Sequence, residues 1–196
     1  MTNRLLTTLL TTLLATGLTS LSSHAAPVEY KIDPDHTYPS FEADHMGMST
    51  WRGKFNTNSG TLWLDKAAGT GSVDLKIDIG SIDFGMAQMN SVAKNPEMFN
   101  VEQFPYAFYK GRLEGFLPGG TPRVVGTLDF RGVTRPLTLE VSRWKCQPHP
   151  LNRRDWCGAD ALATFSRADW GFDVGRDWGF SMLTTLRIQV EAVARD

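Results

Sequence analysis

The sequence predicts an all-β fold, either a sandwich or a closed barrel, for a chain of 196 residues. Apolar and polar residues alternate with a period of two in about eight or nine stretches, which is typical of half-buried strands. Short turns rich in glycine and proline separate these stretches, and no strand–helix–strand rhythm is present. The last stretch is long enough to return beside the first, which favours closure into a barrel.

The first 25 residues are typical of a cleavable secretory signal peptide. Arg4 is their only charged residue, an uncharged run rich in Leu and Thr follows, and small residues precede a cut after Ala25. A retained membrane anchor is the alternative, which we disfavour because threonines dilute the run and no basic flank follows it. We therefore expect an exported protein whose residues 26–196 form a single domain.

Charge and cysteine content narrow the function further. Lys and Arg number 20 against 21 Asp and Glu, and no basic stripe is present, so we do not expect nucleic acid as a partner. Cys146 and Cys157 are the only cysteines, and an even count in an exported chain predicts one disulfide around a loop-like segment. A redox pair or a thiolate metal site is the alternative, which the lack of C-x-x-C spacing disfavours.

The first predicted strands lie between residues 28 and 65. Residues 28–33 form a short strand that Pro34 ends. A long hairpin follows, and its turn contains Gly47. The two strands of this hairpin share one largely aromatic face, which either fills a core or lines a cavity. That face consists of Phe41, Ala43, His45, Trp51, Gly53 and Phe55.

One helical insertion interrupts the strands. In residues 73–79, apolar and polar residues alternate strictly, which predicts a strand. In residues 86–99, Met86, Met89, Val92 and Ala93 have helical spacing, and Pro96 limits the length of this predicted helix. A short helix rich in methionine is either an ordinary packed element or a flexible cover at the mouth of a barrel, because methionine adapts to irregular apolar surfaces.

The remaining strands run from residue 104 to the end of the chain. Aromatic residues on both faces of residues 104–109 predict a strand covered on both sides. Arg131 and Gly132 predict a tight hairpin turn between two alternating strands. The next strand carries the small residues Ala159, Ala161 and Ala163, residues 168–172 predict a loop or helical turn, and a long final strand follows.

The sequence contains no catalytic or metal-binding motif. The histidines lack the H-x-H, H-x-x-x-H and H-E-x-x-H spacings of metal sites, and no G-x-S-x-G nucleophile motif or phosphate-binding loop is present. We therefore expect that the protein is not an enzyme and holds no metal. One alternative is an enzyme that uses His36, Asp44 and His45 as acid–base groups, if the fold brings them together.

A second alternative is a stress-response interaction protein that holds no ligand. It would have a filled barrel and a partner-binding surface. Exposure of the aromatic side chains Tyr109, Trp156 or Trp178 would favour it.

Six short motifs follow one another in order over nearly all of residues 26–196. They are Tyr30-Lys31-Ile32-Asp33, Phe41-x-x-x-His45-Met46-Gly47, Trp51-Arg52-Gly53-Lys54-Phe55-Asn56 with Gly60-Thr61-Leu62, Phe99-Asn100-Val101-x-x-Phe104-Pro105, Gly126-x-Leu128-x-x-Arg131-Gly132-Val133-Thr134-Arg135-Pro136, and Arg167-x-Asp169-Trp170-Gly171-Phe172. In this order they resemble the YceI-like, polyisoprenoid-binding protein family. Trp170 departs from the phenylalanine usual at its position, and the segment between Cys146 and Cys157 is typical of only part of the family.

The resemblance implies an extended, eight-stranded, lipocalin-like antiparallel β-barrel in the periplasm. It implies that residues 26–196 form a lipid-binding domain, which holds a long isoprenoid such as a quinone tail, or another lipid chain, in an apolar channel. It implies no catalytic residue and no cofactor apart from the bound isoprenoid or fatty-acyl chain. Pairing into a homodimer and transient contact with a membrane stay open.

We expect the apolar channel to be lined by large aromatic and sulfur-containing side chains, and the alternative for each is plain core packing. The small side chains of Ala159, Ala161 and Ala163 would leave room for a chain, and His45 would donate a hydrogen bond to a ligand head group. The expected lining residues are Phe41, His45, Trp51, Phe55, Met86, Met89, Met98, Phe99, Phe108 and Trp170.

Overall fold

The computed structural model describes residues 26–195, which form eleven strands and one short α-helix. The predicted signal peptide lies outside the described residues. Within residues 26–195, no helix has the length and apolar character needed to cross a bilayer. The strands are β1 (Val28–Ile32), β2 (Tyr38–His45), β3 (Ser49–Phe55), β4 (Asn58–Asp65), β5 (Thr70–Asp78), β6 (Ile82–Asp83), β7 (Tyr106–Glu114), β8 (Arg123–Phe130), β9 (Val133–Pro148), β10 (Asp155–Ser166) and β11 (Leu183–Ala194).

Eight of these strands close into a barrel. In the sheet order β1-β4-β5-β7-β8-β9-β10-β11, the last strand pairs with the first through Tyr30 opposite Ala194 and Ile32 opposite Ala192. Every pairing is antiparallel. The structure therefore confirms the predicted eight-stranded antiparallel barrel.

The strand β11 has two successive partners on the same side, which extends the barrel at one end. Residues 192–194 pair with β1, whereas residues 184–189 pair with β2. The strand β2 pairs with β3, and β3 pairs with the two-residue β6 only at Lys54 and Phe55. The helix α1 (Ala87–Ala93) follows β6 and is shorter than the predicted insertion, because turns replace the helix after Lys94.

Two tight connections hold the strand β9 in place. Arg131 and Gly132 both have positive φ, 52° and 73°, which confirms the predicted two-residue hairpin turn. Cys146 and Cys157 form the predicted disulfide directly opposite each other on β9 and β10, with 4.0 Å between their Cα atoms. Both strands continue two residues past the disulfide, and residues 149–154 between them form the expected loop.

The strand β7 buries only one face. Ala107 and Tyr109 are buried, whereas Tyr106 and Phe108 on the opposite face are 41% and 38% exposed. The prediction that this strand is covered on both sides is therefore wrong. The outer aromatic residues are instead solvated, and the Lys76 ammonium group lies 3.6 Å from the centroid of the Tyr106 ring.

Two hydrophobic clusters occupy the two ends of the barrel. At the end that contains β1 and the disulfide, Tyr30, Leu64 and Ala192 are almost fully buried in a filled core. Ala161 and Ala163 belong to this core, so the prediction that they leave room for a ligand is wrong. The other cluster is rich in phenylalanine and isoleucine: Phe41, Phe55, Ile77, Ile79, Ile82, Ala93, Phe99, Ala107, Phe130, Trp170 and Phe172.

Candidate functional site

An apolar cavity of about 310 Å³ lies within the phenylalanine-rich end of the barrel. Its volume falls near the lower limit of the ~300–1,000 Å³ that small-molecule sites usually have. Inward-facing residues of β2, β3, β5, β7, β8, β10 and β11 build the wall, together with α1 and the segment after β10. The aromatic lining residues are Phe41, Trp51, Phe55, Phe84, Phe99, Phe130, Phe165, Phe172, Trp178 and Phe180.

Phe99 lies at the centre of this aromatic wall. Its ring centroid is 5.8 Å from those of Phe55 and Phe130, 5.1 Å from that of Phe172, and 6.2 Å from that of Phe41. Most of these contacts have edge-to-face geometry, which aromatic pairs favour because the ring edge is positive and the face negative. The wall is therefore a connected set of rings that hold one another in place.

Six of the ten residues predicted to line an apolar channel line this cavity. Their contact with a ligand stays a prediction. They are Phe41, Trp51, Phe55, Met89, Met98 and Phe99.

Three of the other predicted residues lie outside the cavity. Met86 precedes α1 and is 52% exposed, because the helix turns Met89 rather than Met86 inward. Phe108 lies on the outer face of β7. Trp170 is buried behind the wall, where its ring packs against Phe165 and its indole N–H donates to the Leu128 carbonyl at 3.2 Å.

His45 is the fourth predicted residue that does not line the cavity, and it packs against two residues of the wall from outside. Its ring lies parallel to that of Trp51, with centroids 4.3 Å apart, and meets the Phe180 ring edge-on at 5.1 Å. Trp51 and Phe180 both line the cavity, whereas His45 does not. A hydrogen bond from His45 to a ligand head group stays a prediction.

The three residues of the acid–base alternative do not converge. His36 lies in the loop before β2, with its Nδ1 2.8 Å from Asp33 Oδ2, whereas His45 ends β2. The eight residues of that strand separate the two histidines by roughly 25 Å. The Asp44 carboxylate accepts from the backbone N–H of Gly47 at 3.0 Å and of Ser181 at 3.4 Å, so it caps the hairpin turn. The expectation that the protein is not an enzyme stays a prediction.

A group of potential metal ligands lies at the filled end. Among the described residues, donor atoms of Asp33, His36 and Glu191 lie within 4.8 Å of one another. Each has a protein partner: His36 pairs with Asp33, which raises the pKa of the imidazole, and Glu191 accepts from the Trp156 indole N–H at 3.0 Å. The expected lack of a metal therefore stays a prediction.

Residues 171–182, which we call the strap, contribute a part of the wall that the sequence did not predict. Three of its glycines, Gly171, Gly175 and Gly179, have positive φ of 68°, 83° and 85°, a conformation that other residues rarely adopt. This turning backbone crosses the end of the barrel between β10 and β11. The strap lines the cavity with Phe172, Val174, Gly175, Trp178 and Phe180.

Arg167 fixes the strap from inside the barrel. Its guanidinium group donates to the carbonyl oxygens of Phe172 at 3.0 Å and Val174 at 2.8 Å, and it lies 4.8 Å from the Phe172 ring centroid. The side chain is buried beside the cavity, and this burial lowers the pKa of the guanidinium group. The motif that begins at Arg167 was visible in the sequence, but only Trp170 was predicted from it to line a channel.

A closed antiparallel barrel of eight strands, filled at one end and hollow and apolar at the other, defines a lipocalin-like β-barrel protein. Comparison with known protein families identifies the family within this class. The model of the YceI-like domain matches residues 30–194. The chain belongs to the YceI-like family.

Curated relatives resemble part of the chain. A UPF0312 protein of Yersinia enterocolitica is 34% identical over 124 residues, which cover 59% of this chain and 62% of the relative. Protein YceI of Salmonella arizonae is 32% identical over 120 residues, which cover 60% of this chain and 62% of the relative. The chain thus matches less than two thirds of the length of these relatives.

Solved structures share the fold at low sequence identity. BcnA of Burkholderia cenocepacia superposes with a TM-score of 0.65 at 19% identity, covering 82% of this chain and 98% of BcnA. A polyisoprenoid binding domain of Saccharophagus degradans, implicated in plant cell wall breakdown, gives a TM-score of 0.61 at 18% identity and covers 86% and 99% of the two chains. At these identities the similarity establishes the fold alone.

Proposed function

We propose that the protein is a non-catalytic carrier that holds a long isoprenoid or fatty-acyl chain in its apolar cavity. The observation that carries this proposal is the hollow end of the barrel, whose wall is almost entirely aromatic, aliphatic and methionine side chains. Each methylene group removed from water contributes about 0.8 kcal/mol, so such a wall binds a chain along its length without specific polar contacts. The name of the Saccharophagus degradans domain supports an isoprenoid as the ligand.

The same proposal includes export to the periplasm and a quinone tail as one candidate ligand. The pattern of residues 1–25 supports export, and so does the Cys146–Cys157 disulfide, because disulfides persist in oxidising compartments. The cavity volume of about 310 Å³ is small for a long polyprenyl chain. Such a chain would therefore place only part of its length inside the cavity.

The proposal is tested directly by native mass spectrometry of the protein purified from its own source. We expect a stoichiometric prenyl or acyl species that dissociates on denaturation and that organic extraction then identifies. A protein that is empty, and that also rejects added quinones and fatty acids, would contradict the carrier function.

A matched pair of substitutions tests whether the cavity is the binding site. Met89 on α1 lines the cavity, whereas Met86, three residues earlier, is solvent-exposed. Met89→Trp fills part of the cavity with a larger side chain. We expect the affinity for farnesol and palmitate, measured by isothermal titration calorimetry, to fall by about tenfold or more. This is the loss that follows when two methylene groups of the ligand can no longer be buried. Met86→Trp adds the same bulk outside and should leave affinity unchanged. Equal affinities in the two variants would place the ligand elsewhere.

The exposure of Trp178, which is 71%, favours the further possibility of a partner-binding surface. The other two aromatic residues of that alternative do not: Tyr109 is 4% exposed and Trp156 is half-buried. Trp178 also lines the cavity. A partner that binds to this side chain would therefore lie at the opening of the cavity.

A further inference from the structure

Large apolar side chains are exposed around one end of the barrel, where the strap meets the turn between β2 and β3. Trp178 and Leu183 are 71% and 58% exposed on the strap side, and Met46 and Met48 are 49% and 84% exposed at the turn. We infer that these four residues, which we call the rim, dock on the surface of a lipid bilayer. This inference rests on the proposed function, because it supplies the route by which an apolar chain enters the cavity.

The two segments of the rim are held next to each other. The Ser181 N–H donates to Asp44 Oδ2 at 3.4 Å, and the Phe180 ring contacts the His45 ring at 5.1 Å. Thr184 lies opposite Ala43 in the β11–β2 ladder. Met46 comes directly after His45, and Trp178 and Leu183 lie two residues from Phe180 and Ser181, so the exposed residues of both segments lie at the same end of the barrel.

The rim is continuous with the interior of the barrel. Trp178 lines the cavity and yet is 71% exposed, so the cavity reaches solvent at this side chain. An apolar chain that leaves the cavity here passes directly onto apolar side chains. Tryptophan is also the residue that favours the boundary between lipid head groups and acyl chains, because its large ring is apolar and its indole N–H is polar.

Most of the charges beside the rim are paired, with the exception of Asp177, which directly precedes Trp178 and has no ion-pair partner among the described residues. Glu42 accepts from Arg52 at 2.9 Å and from Arg187 at 2.6 Å, and Arg176 on the strap lies 3.9 Å from Asp173. A surface of this kind favours insertion of apolar side chains over attraction to anionic lipids. We therefore expect binding to neutral vesicles that changes little with salt or with added anionic lipid.

The opposite end of the barrel supplies a matched control. Leu151, in the turn between β9 and β10, is 89% exposed, which is as much as Met48. The twelve residues of β10 separate this turn from the strap by roughly 40 Å. Leu151 lies beside the filled end, where no lipid would pass.

The test compares the full-length protein, Met48→Ser combined with Leu183→Ser, and Leu151→Ser in flotation with phosphatidylcholine vesicles, with and without phosphatidylglycerol. Neither Met48 nor Leu183 lines the cavity, so palmitate binding in solution should be unchanged in all three proteins. We expect vesicle binding to fall by about tenfold to a hundredfold in the double variant, because each apolar side chain lost from an interface weakens binding by up to roughly a decade and two are lost here. Leu151→Ser should bind like the unsubstituted protein.

Three results would overturn the inference. Equal vesicle binding by the double variant and by Leu151→Ser would exclude the rim. A tenfold effect that appears only with phosphatidylglycerol would overturn docking by insertion of apolar side chains, because attraction to anionic lipid would then be required. A protein that binds palmitate but not vesicles, and whose self-association in analytical ultracentrifugation is lost in the double variant, would assign the rim to a second copy of the chain. The carrier function itself fails independently, if palmitate and farnesol do not bind while vesicles still do.

Discussion

Single residues at the filled end satisfy their polar groups with one another. The fully buried Tyr30 side chain donates its hydroxyl to Asp155 Oδ2 at 2.6 Å, and the Lys66 ammonium group pairs with the same oxygen. The Tyr109 hydroxyl lies 3.0 Å from the carbonyl oxygens of Val124 and Leu137, and burial raises its pKa. An unpaired polar group would be costly in such a core, so these contacts allow two tyrosines to fill it.

Asp155 makes the stability of this end depend on pH. Burial pushes the pKa of its carboxyl up, but the hydrogen bonds from Lys66 and Tyr30 outweigh burial and hold the pKa below its ordinary value of 3.8. The stabilisation is therefore fully present above pH 3.8 and is lost as the pH falls through the lowered pKa. We expect Asp155→Asn to lower the free energy of unfolding by about 2 kcal/mol at neutral pH, as measured in urea.

This difference from the unsubstituted protein should shrink as the pH falls from 3.8 through the lowered pKa of the folded carboxyl, because below that pKa both proteins carry a neutral side chain at the position. Asp160→Asn, on the same strand, is the control, since its carboxylate is 45% exposed and lies 3.4 Å from Arg143. A difference for Asp155→Asn that persists undiminished in acid would contradict the assignment.

Residue-level predictions from the sequence were accurate where a residue lies in a regular strand. Phe41, Trp51 and Phe55 were placed on one inward face by their period of two, and the structure places them on the cavity wall. Trp170 was assigned from a motif without a period, and lies one layer behind the wall. Phe108 is in a regular strand, but hydrophobicity alone did not indicate which of two aromatic faces turns inward.

At the scale of elements, the buried guanidinium group of Arg167 holds the strap through two hydrogen bonds. Arg167→Met keeps an apolar side chain of similar length but removes both bonds to the carbonyls of Phe172 and Val174. We expect the free energy of unfolding to fall by about 2 kcal/mol, since hydrogen bonds from charged donors are worth about 1.5–3 kcal/mol. Amide hydrogen exchange in residues 171–182, followed by mass spectrometry, should accelerate more than exchange in the strands.

The control for this prediction is Arg176→Met within the strap itself. Arg176 is 55% exposed, and its closest approach to Asp173 is 3.9 Å, so its loss should change neither stability nor exchange appreciably. If both variants loosen the strap equally, then Arg167 does not fix it.

Elements with a period or a turn signature were predictable, and elements defined by tertiary pairing were not. The hairpin at Arg131 and Gly132 follows from the alternating strands on both sides of it and from Gly132, which tolerates positive φ. The two-residue β6 exists because β3 supplies a partner, and no sequence pattern is that short. The strap contains three glycines and no alternation, so its position across the cavity follows from Arg167 and from its two anchoring strands.

At the scale of the whole molecule, the contrast between a filled and a hollow end limits the length of ligand that the interior accepts. The filled core begins where the cavity of about 310 Å³ ends, and its residues are almost fully buried. Along a homologous series of saturated fatty alcohols, we expect affinity to rise about fourfold for each added methylene group while the cavity fills.

Once the alcohol fills the cavity, affinity should reach a plateau, because further methylene groups remain outside the cavity. Titration calorimetry across the series locates the plateau, and Leu128→Ala, which enlarges the cavity, should move it to a longer chain. Affinity that rises without limit would mean that the filled core opens to admit the ligand.

The pairing of β1 with residues 192–194 of β11 also has a consequence for how the protein folds. Nearly all of residues 28–194 must be synthesised before β1 can meet this partner, so the barrel closes late. Contacts this distant along the chain are typical of folding in milliseconds to seconds rather than microseconds. Until then β1 and β10 both present unpaired backbone edges, so the newly made protein depends on its dilution, or on a chaperone, to avoid joining another copy of itself.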